Sequence, residues 1–385
     1  MNFQFSPEDE AFRGEVRDFL SQELPERRPD GVEAWQFARA FVRKLAGQGW
    51  LTLAWPTEWG GAGAGHMRQL IFNEEMAYAE APAGDLGSDR VGPTILLHGT
   101  QAQKERFLPP IMRGEAVWCQ GFSEPGAGSD LASLQTSAVM DGDSFVVNGS
   151  KIWTSLAHFA QWMILLARTD RDAPKHRGIS YFLVDMTTPG ISIQPLTDML
   201  GRHTFNQVFF QDVRIPRDSL LGELNRGWYV ATSTLDFERS GIQRVIGSLR
   251  MYNEIVSYAA DLVASKRVPK SYAPVRYRLA ELKIEFEVGR LLAYRVAWLQ
   301  SQGRVPNYEA SASKLYGSEL AQRLAAVGMN LLGLDSQLAP GSPGAKLRGR
   351  VETLYLNAAA LTVAAGTSEI NRGIIATRGL GLPRS

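Results

Sequence analysis

The sequence predicts an α+β protein in which a central β domain separates two helical domains. Apolar residues recur at helical spacing up to about residue 114, give way to short β-prone runs from residue 116, and return to helical spacing after residue 222. We therefore expect an N-terminal helical domain over residues 1–115, an antiparallel β domain over residues 116–222 and a C-terminal helical bundle over residues 223–385.

Capping signals mark the start of two helices in the N-terminal domain. Ser6 precedes Pro7 and three acidic residues, so its hydroxyl can cap a first turn that the proline begins. Thr100 and Gln103 form a second capping box. Beyond residue 222, the longest stretches of helical spacing are residues 228–265, 276–300, 309–332 and 346–364.

Six short runs of β-prone residues define the expected middle domain. They cover residues 117–122, 135–140, 144–148, 162–167, 179–184 and 207–210. Asp141, Gly142 and Asp143 separate the second run from the third, which predicts a hairpin there.

Charge and composition exclude several classes of protein. The 41 basic and 40 acidic residues leave a formal charge of +1, so no overall field favours nucleic acid or an anionic membrane as a partner. The acidic start and the lack of a bilayer-length apolar run predict a cytoplasmic protein without membrane insertion. Cys119 is the single cysteine, and the five histidines show no metal-ligand spacing, so we expect no metal site.

Two glycine-rich segments have different contexts. Residues 60–65 (GGAGAG) follow no predicted strand, which favours a surface loop over a dinucleotide fingerprint. Residues 124–130 (EPGAGSD) follow the first predicted strand, and backbone N–H groups beside their glycines can approach an anion closely. A pyrophosphate site that includes the Ser129 hydroxyl and a plain turn both remain open.

Trp153 and Glu238 are candidate functional residues with structural alternatives. Trp153 offers an aromatic plane beside two hydroxyl residues, although a tryptophan at a strand end more often packs in the core. If residues 228–265 form one helix, Glu238 shares its face with Ala231, Thr234 and Ile242 and with no other carboxylate. Burial there would raise the carboxyl pKa and make a proton acceptor, whereas an ion pair with a distant arginine is the alternative.

These motifs together resemble the acyl-CoA dehydrogenase family over essentially the whole chain. The matching segments are residues 55–56 (WP), 122–130 (FSEPGAGSD), 148–153 (NGSKIW), 206–216 (NQVFFQDVRIP), 223–227 (ELNRG) and 366–372 (GTSEINR). The resemblance implies the fold order of helical domain, β domain and four-helix bundle. It also implies FAD as the cofactor and an acyl-CoA as the substrate.

Site residues are carried over from the family position by position. The implied flavin-binding residues are Gln120, Phe122, Ser123, Gly128, Ser129, Trp153, Thr154, Ser155, Thr367 and Glu369, with Arg276 at a position that serves a neighbouring subunit. The implied substrate-binding residues are Ser129, Asp236, Arg239 and Gly366.

The family resemblance also selects a catalytic base. Many members carry Glu directly before the Gly-Thr-Ser motif, where this chain has Ala365. A minority carries the base on a helix, directly before an arginine, at the position of Glu238. The resemblance thus implies that Glu238 removes the α proton while hydride passes from the β carbon to flavin, giving a trans-2-enoyl-CoA. An electron-transfer flavoprotein is the expected acceptor.

Two segments depart from the family at the subunit interface. Family members use an Arg-x-x-Phe-Gly and a Gln-x-x-Gly-Gly-x-Gly segment to complete the neighbour's FAD site, but residues 267–274 and 330–336 match neither. This resembles subunits of the α2β2 enzymes for pimeloyl-CoA and sterol side chains, and predicts a homo- or hetero-oligomer. An acyl-CoA oxidase, a flavin monooxygenase and a non-catalytic subunit remain alternatives. Acyl chain length and branching are not encoded in these motifs.

Overall fold

The chain forms two compact units, each assembled from separate segments. One comprises Met1–Arg28, Gly65–Ala83 and Arg239–Ser385, and the other comprises Pro29–Ala64 and Gly84–Glu238. The computed structural model describes residues 5–26, 29, 31–82, 86–239, 241–268 and 272–383, and for residues 236–239 it describes the backbone alone. The domain boundaries expected at residues 115 and 222 stay predictions.

Helices dominate the chain before the sheet. They are α1 (Pro7–Glu23), α2 (Gly31–Gly47), α3 (His66–Tyr78), α4 (Gly92–His98) and α5 (Gln101–Met112). A π-helical turn, Gly87–Val91, leads directly into α4. Both predicted caps are confirmed: the Ser6 side chain accepts from the Asp9 N–H at 3.1 Å, and Thr100 and Gln103 form a complete capping box. The glycine-rich residues 60–65 are irregular, as expected.

The described part of the middle region forms a mixed eight-stranded sheet. Its strands are β1 (Trp118–Gly121), β2 (Ser137–Asp141), β3 (Ser144–Lys151), β4 (Trp162–Arg168), β5 (Ile179–Asp185), β6 (Ile191–Thr197), β7 (His203–Pro216) and β8 (Leu220–Leu221). The order is β6-β7-β3-β2-β4-β5-β8, with β1 beside β4. The fold class is confirmed, but β1 and β2 run parallel to β4, so the sheet is not purely antiparallel.

Alternation along the strands gives the sheet two buried faces. On β4, Ile164 and Leu166 belong to one apolar cluster, whereas Met163 and Leu165 belong to another. The first cluster also contains Ile95 of α4 and residues from α5 and the segment after β8. Because both faces are covered, the loops at the strand ends are supported by a fully packed scaffold.

A bulge interrupts β3 two residues before its end. The pairing with β7 shifts register between Val147 and Gly149, and Gly149 has a φ of 143°. A Cβ atom at Gly149 would lie 2.7 Å from the Thr136 Cα atom, so no other residue fits there without displacing backbone. Lys151, the last residue of β3, lies two residues after Gly149.

The first helical stretch expected after the sheet is divided into three helices in the structure. The helices after the sheet are α6 (Gly227–Arg239), α7 (Gln243–Ile246), α8 (Leu249–Ala264), α9 (Tyr272–Ser301), α10 (Tyr308–Leu332), α11 (Arg350–Leu361) and α12 (Ser368–Ile374). The expectation of one helix over residues 228–265 is wrong, because α6 ends at Arg239 and glycines at 241 and 247 lie in the two breaks. The apolar stripe inferred for Glu238 therefore does not continue on the same helix.

A buried charge network joins helices that are far apart in the sequence. Glu74 on α3 accepts hydrogen bonds from Arg13 of α1 at 3.0 Å and from Arg290 and Tyr294 of α9 at 2.5 and 2.8 Å. Leu70 of α3 also packs in the apolar cluster that holds Ile246 and Phe286. Helices α1 and α3 thus belong to the same packed unit as the C-terminal helices.

Candidate active site

The loop after β1 carries four of the eleven residues expected to bind a flavin. A tight turn closes it, because the backbones of Glu124 and Ala127 exchange two hydrogen bonds of 3.0 Å each. Cβ atoms placed at Gly126 or Gly128 would meet nothing within 4 Å, and neither glycine has a positive φ. The chain's own packing therefore does not require glycine there, and the open space leaves room for a ligand beside the backbone.

A buried ion pair fixes this loop to the end of β3. The Lys151 side chain is 0% exposed and its Nζ donates to Glu124 Oε1 at 2.8 Å and to the Phe122 carbonyl at 3.0 Å. The Glu124 carboxylate also accepts from the backbone N–H groups of Gln135 and Thr136 at 2.7 and 2.9 Å. All the partners needed to offset the desolvation of both charges are thus present.

The pKa values of the pair follow from burial and mutual attraction. Burial opposes the charge on Glu124, but the Lys151 ammonium and the hydrogen bonds from residues 135 and 136 outweigh it and lower the pKa of the Glu124 carboxyl. Burial lowers the pKa of Lys151 to about 8 despite the attraction of Glu124. At neutral pH the pair is therefore ionised and anchors the loop.

The same contacts bring two predicted flavin segments together. The Ile152 N–H donates to the Ser123 carbonyl at 2.9 Å, next to the Lys151 bond to Phe122. Phe122 is buried, Ser123 is half-buried, and Gly128 and Ser129 are exposed. Residues 120–129 and 153–155 hence lie side by side, which no local sequence pattern required.

Trp153 and Thr154 have the features of a binding surface. Trp153 has a positive φ of 59° and is 61% exposed, so the core-packing alternative for this residue is wrong. Thr154 is fully buried, yet its Oγ1 atom has no hydrogen-bond partner among the described residues, and the same is true of the buried Gln120 Oε1. Buried polar atoms are rarely left without partners. An aromatic plane near unused hydrogen-bonding atoms fits a flat polar heterocycle such as isoalloxazine.

A histidine pair and Asn206 support the Thr154 backbone. The Asn206 Nδ2 donates to the Thr154 carbonyl at 3.0 Å and to His158 Nδ1 at 3.1 Å, while its Oδ1 lies 2.7 Å from His203 Nε2. The two imidazole rings stack with centroids 4.1 Å apart. Sequence reasoning missed this support, because it joins two residues of β7 to residues 154 and 158 after β3, and only the fold brings these together.

The other residues predicted to bind a flavin lie in the other unit. Ala365 and Gly366 both have positive φ, and the Gly366 carbonyl accepts from the buried Lys314 Nζ at 2.7 Å and from Asn371 at 2.8 Å. Thr367 caps α12 by accepting from the Ile370 N–H at 3.2 Å. Glu369 is exposed in the first turn of α12, and Arg276 is exposed near the start of α9.

Glu238 lies in the last turn of α6, one residue before the helix ends. The side chains of Asp236, Glu238 and Arg239 lie outside the described residues, so their predicted roles stay predictions. Within the described ranges, no group of three or more His, Cys, Asp or Glu residues is placed to hold a metal ion. None of the helices in those ranges is both long and apolar enough to cross a bilayer.

Comparison with known proteins places the chain in a family. Models of the acyl-CoA dehydrogenase N-terminal, middle and C-terminal domains match residues 6–115, 119–213 and 225–380. The chain belongs to the acyl-CoA dehydrogenase family. Members of this family are flavoprotein oxidoreductases, and the order of the three matches agrees with the element order of the fold.

The chain is similar to bacterial and human acyl-CoA dehydrogenases. It is 38% identical to acyl-CoA dehydrogenase FadE26 of Mycobacterium tuberculosis, covering 100% of both chains. It is 34% identical to the human mitochondrial short-chain specific acyl-CoA dehydrogenase, covering 94% of this chain and 87% of the relative.

Two solved structures are similar over 100% of both chains. One is described as the Tcur3481-Tcur3483 steroid ACAD (TM-score 0.91, 34% identity), and the other as the ChsE4-ChsE5 complex from Mycobacterium tuberculosis (TM-score 0.89, 37% identity).

Removing the Glu124 charge should destabilise this acyl-CoA dehydrogenase strongly. In Glu124→Gln the Lys151 ammonium loses its ionic partner while remaining buried, so we expect the free energy of unfolding to fall by about 3–5 kcal/mol. Urea denaturation measures the change. Asp130→Asn removes a carboxylate from an exposed pair with Lys175 and should cost less than about 1 kcal/mol. Equal stabilities of the two variants would contradict the anchoring role.

The pair of Glu124 and Lys151 should also make the stability of the fold depend on pH in the acid range. Because the folded pKa of Glu124 lies below its ordinary value of 4.5, its contribution is complete above that value and is lost as pH falls through the folded pKa. Urea midpoints measured between pH 7 and pH 3 should therefore fall less steeply in the double variant Glu124→Gln, Lys151→Met than in the wild type.

Proposed function

We propose that the chain is an FAD-dependent acyl-CoA dehydrogenase that converts an acyl-CoA thioester to the trans-2-enoyl-CoA, with Glu238 as the base. The proposal is carried by the surface at Trp153 and Thr154, where an exposed aromatic plane adjoins a fully buried hydroxyl without a partner. Family membership supplies the reaction class. The steroid ACAD among the similar structures leads us to propose a steroid-bearing acyl chain.

The loop residues would hold FAD through hydrogen bonds and stacking. Thr154 and Gln120 have unused polar atoms, and the space beside Gly126 and Gly128 lets backbone N–H groups reach an anionic pyrophosphate. The proposed contacts in this unit are Gln120, Phe122, Ser123, Gly128, Ser129, Trp153, Thr154 and Ser155. The proposed contacts in the other unit are Thr367, Glu369 and, towards a neighbouring subunit, Arg276.

Glu238 would take the α proton of the bound thioester. Its place in the last turn of α6 puts it at the carbonyl end of a helix, which disfavours a carboxylate and so favours proton uptake. As the α C–H bond breaks, its electron pair forms the new double bond and the β hydrogen leaves as hydride. FAD supplies the two-electron acceptor for that hydride. Ser129, Asp236, Arg239 and Gly366 would bind the substrate.

A partner subunit is part of the proposal. Tyr277, Ile284 and Leu291 recur every seven residues along α9, with Val288 beside them, and their exposed fractions are 64, 66, 45 and 39% in the isolated chain. Such an apolar stripe on a helix is typical of a helix-packing interface. Both similar structures are named with two proteins, so we propose a heteromeric assembly. An electron-transfer flavoprotein would reoxidise the reduced enzyme.

Thr154→Val should separate cofactor binding from folding. Valine has nearly the same shape but no hydroxyl, so removing a buried group without a partner should stabilise the apoprotein by about 1 kcal/mol. The affinity for FAD should fall about 10-fold, because one hydrogen bond to the ring is lost. Thermal unfolding of apoprotein and fluorescence titration with FAD measure the two effects.

Thr136→Val is the matched control for Thr154→Val. Its buried hydroxyl already donates to the Ser150 carbonyl at 3.3 Å, so its loss should lower stability and leave FAD affinity unchanged. If Thr154→Val instead lowers apoprotein stability and binds FAD as tightly as the wild type, Thr154 is a structural residue.

Glu238→Gln should keep the flavin but stop its reduction. The amide cannot accept the α proton, so we expect the rate of anaerobic flavin bleaching by acyl-CoA to fall at least about 1000-fold with FAD content unchanged. Stopped-flow absorbance with straight-chain, branched and steroid-bearing acyl-CoAs measures the rate. Glu223→Gln, an exposed position before α6, is the control. Full reduction of the Gln variant would remove Glu238 from the mechanism.

Ile284→Asp should weaken subunit assembly without unfolding the chain. A carboxylate in the middle of the α9 stripe would be buried on association, which costs several kcal/mol. Light scattering of the chain co-expressed with its genomic neighbour should show a smaller species, whereas Val305→Asp, an exposed position after α9, should not change the mass. A homotetramer of this chain alone with one FAD per subunit would refute the heteromer.

A further inference from the structure

A chain of three buried hydroxyl groups crosses the unit that contains the sheet. Tyr181 Oη on β5 lies 3.3 Å from Thr234 Oγ1 on α6, and Thr234 Oγ1 lies 3.0 Å from Thr94 Oγ1 on α4. The Thr94 hydroxyl donates to the Arg90 carbonyl at 2.7 Å. All three side chains are 0% exposed, so water does not compete for these bonds.

The bonds in this chain have one direction. Each hydroxyl carries a single proton, and the proton of Thr94 is committed to the Arg90 carbonyl. Thr94 Oγ1 therefore accepts a hydrogen bond from Thr234, whose hydroxyl also lies 3.4 Å from the Val230 carbonyl, and Thr234 Oγ1 accepts one from Tyr181. Removing the Tyr181 hydroxyl would leave Thr234 without a donor and weaken the hydrogen bonds that follow in the chain. An apolar contact at the same place would let the side chains slide past one another.

The middle member of the hydroxyl chain, Thr234, lies on the helix that carries the proposed base. Thr234 lies one helical turn before Glu238 on α6, and residues four apart share one face of a helix. At the preceding position, Ser233 Oγ lies 3.2 Å from His98 Nε2 of α4. Two adjacent polar contacts thus fix the rotation of α6 about its axis just before its last turn.

One end of the hydroxyl chain, Tyr181, contacts the loop that faces the proposed flavin. The Tyr181 ring packs edge to face against Phe122, with ring centroids 5.8 Å apart and an interplanar angle of 82°. The Phe122 carbonyl is the one bound by Lys151. Tyr181 therefore contacts both the loop and the helix, and sets the distance between them.

Phenylalanine and valine at positions 181 and 234 would fill the same space without burying any hydroxyl group. Tyr181 and Thr234 lie among residues such as Leu166, Val230 and Ala231, which form an apolar cluster. Buried hydroxyls lose their water, so they contribute little net stability over phenylalanine and valine. What they add is a defined geometry, since a hydrogen bond fails when its partners slide by an ångström.

We propose that Tyr181, Thr234 and Thr94 are positioning residues whose hydroxyl chain sets the placement of Glu238 against the flavin loop. The inference rests on the proposed function, because it assigns these residues to the proton transfer that Glu238 performs. None of the three would touch the reacting atoms. They act through the rotation of α6 and the contact with Phe122.

Tyr181→Phe and Thr234→Val test this role. Each should lower the limiting rate of anaerobic flavin reduction about 10-fold or more, with the KM for acyl-CoA and the affinity for FAD changed less than about 2-fold. Thr234→Ser keeps the hydroxyl and should react like the wild type. Hydrogen exchange of the apoprotein should show faster exchange of the last turn of α6 in the two variants that lack a hydroxyl.

Tyr252→Phe is the matched structural control. Its buried hydroxyl donates to the Leu279 carbonyl at 3.0 Å within the other unit, so its loss should lower stability while the rate of flavin reduction stays that of the wild type. If Tyr181→Phe and Tyr252→Phe lose the same stability but only Tyr181→Phe reduces the flavin more slowly, the effect on the rate comes from positioning and not from general destabilisation.

The outcomes distinguish this inference from the proposed function. If no acyl-CoA reduces the wild-type flavin, the proposed function fails, and the hydrogen-exchange experiment alone decides whether the hydroxyl chain fixes α6. If the wild type is reduced and Tyr181→Phe and Thr234→Val match its rate, the positioning role is overturned. Unchanged exchange in α6 would overturn it equally.

Discussion

The buried pair of Glu124 and Lys151 is the interaction on which the rest of the site depends. Its two charges lie in the protein interior, so each holds the other in a place where neither would be stable alone. Through the bonds to Phe122, Gln135 and Thr136 the pair joins the end of β1, the start of β2 and the end of β3. The glycine-rich loop of residues 124–130 needs no rigidity of its own, because the side chain of its first residue, Glu124, is already held by Lys151.

Local signals predicted the parts of the fold that local interactions determine. The caps at Ser6 and Thr100 appear as expected, because a cap involves residues three positions apart. The strand β6 was missed, since Pro195 and a half-exposed surface hide its alternation. The break after Arg239 was also missed, because the apolar pattern continues beyond it in α7. Partners such as Lys151 and Asn206 could not be predicted, since their contacts depend on strand register.

Trp153 and Thr154 show how a binding surface can be prepared in advance. A tryptophan with positive φ and a buried hydroxyl without a partner both cost free energy in the chain by itself. The packed sheet and the support from Asn206 and the stacked histidines hold this arrangement in place. A ligand that meets these atoms would recover the cost as binding energy, which is why the family relationship and the local geometry point to the same chemistry.

The interleaving of the two units along the chain has a consequence for synthesis on the ribosome. Residues 29–64 and 84–238 can complete their unit before α9 has been translated, whereas α3 gains its partners on α9 only after that helix emerges. During that interval the bonds from Arg290 and Tyr294 to Glu74 are not yet formed, and the apolar side of α3 that packs with Phe286 has no cover. Nascent chains of this protein should thus depend on chaperones until α9 has been translated.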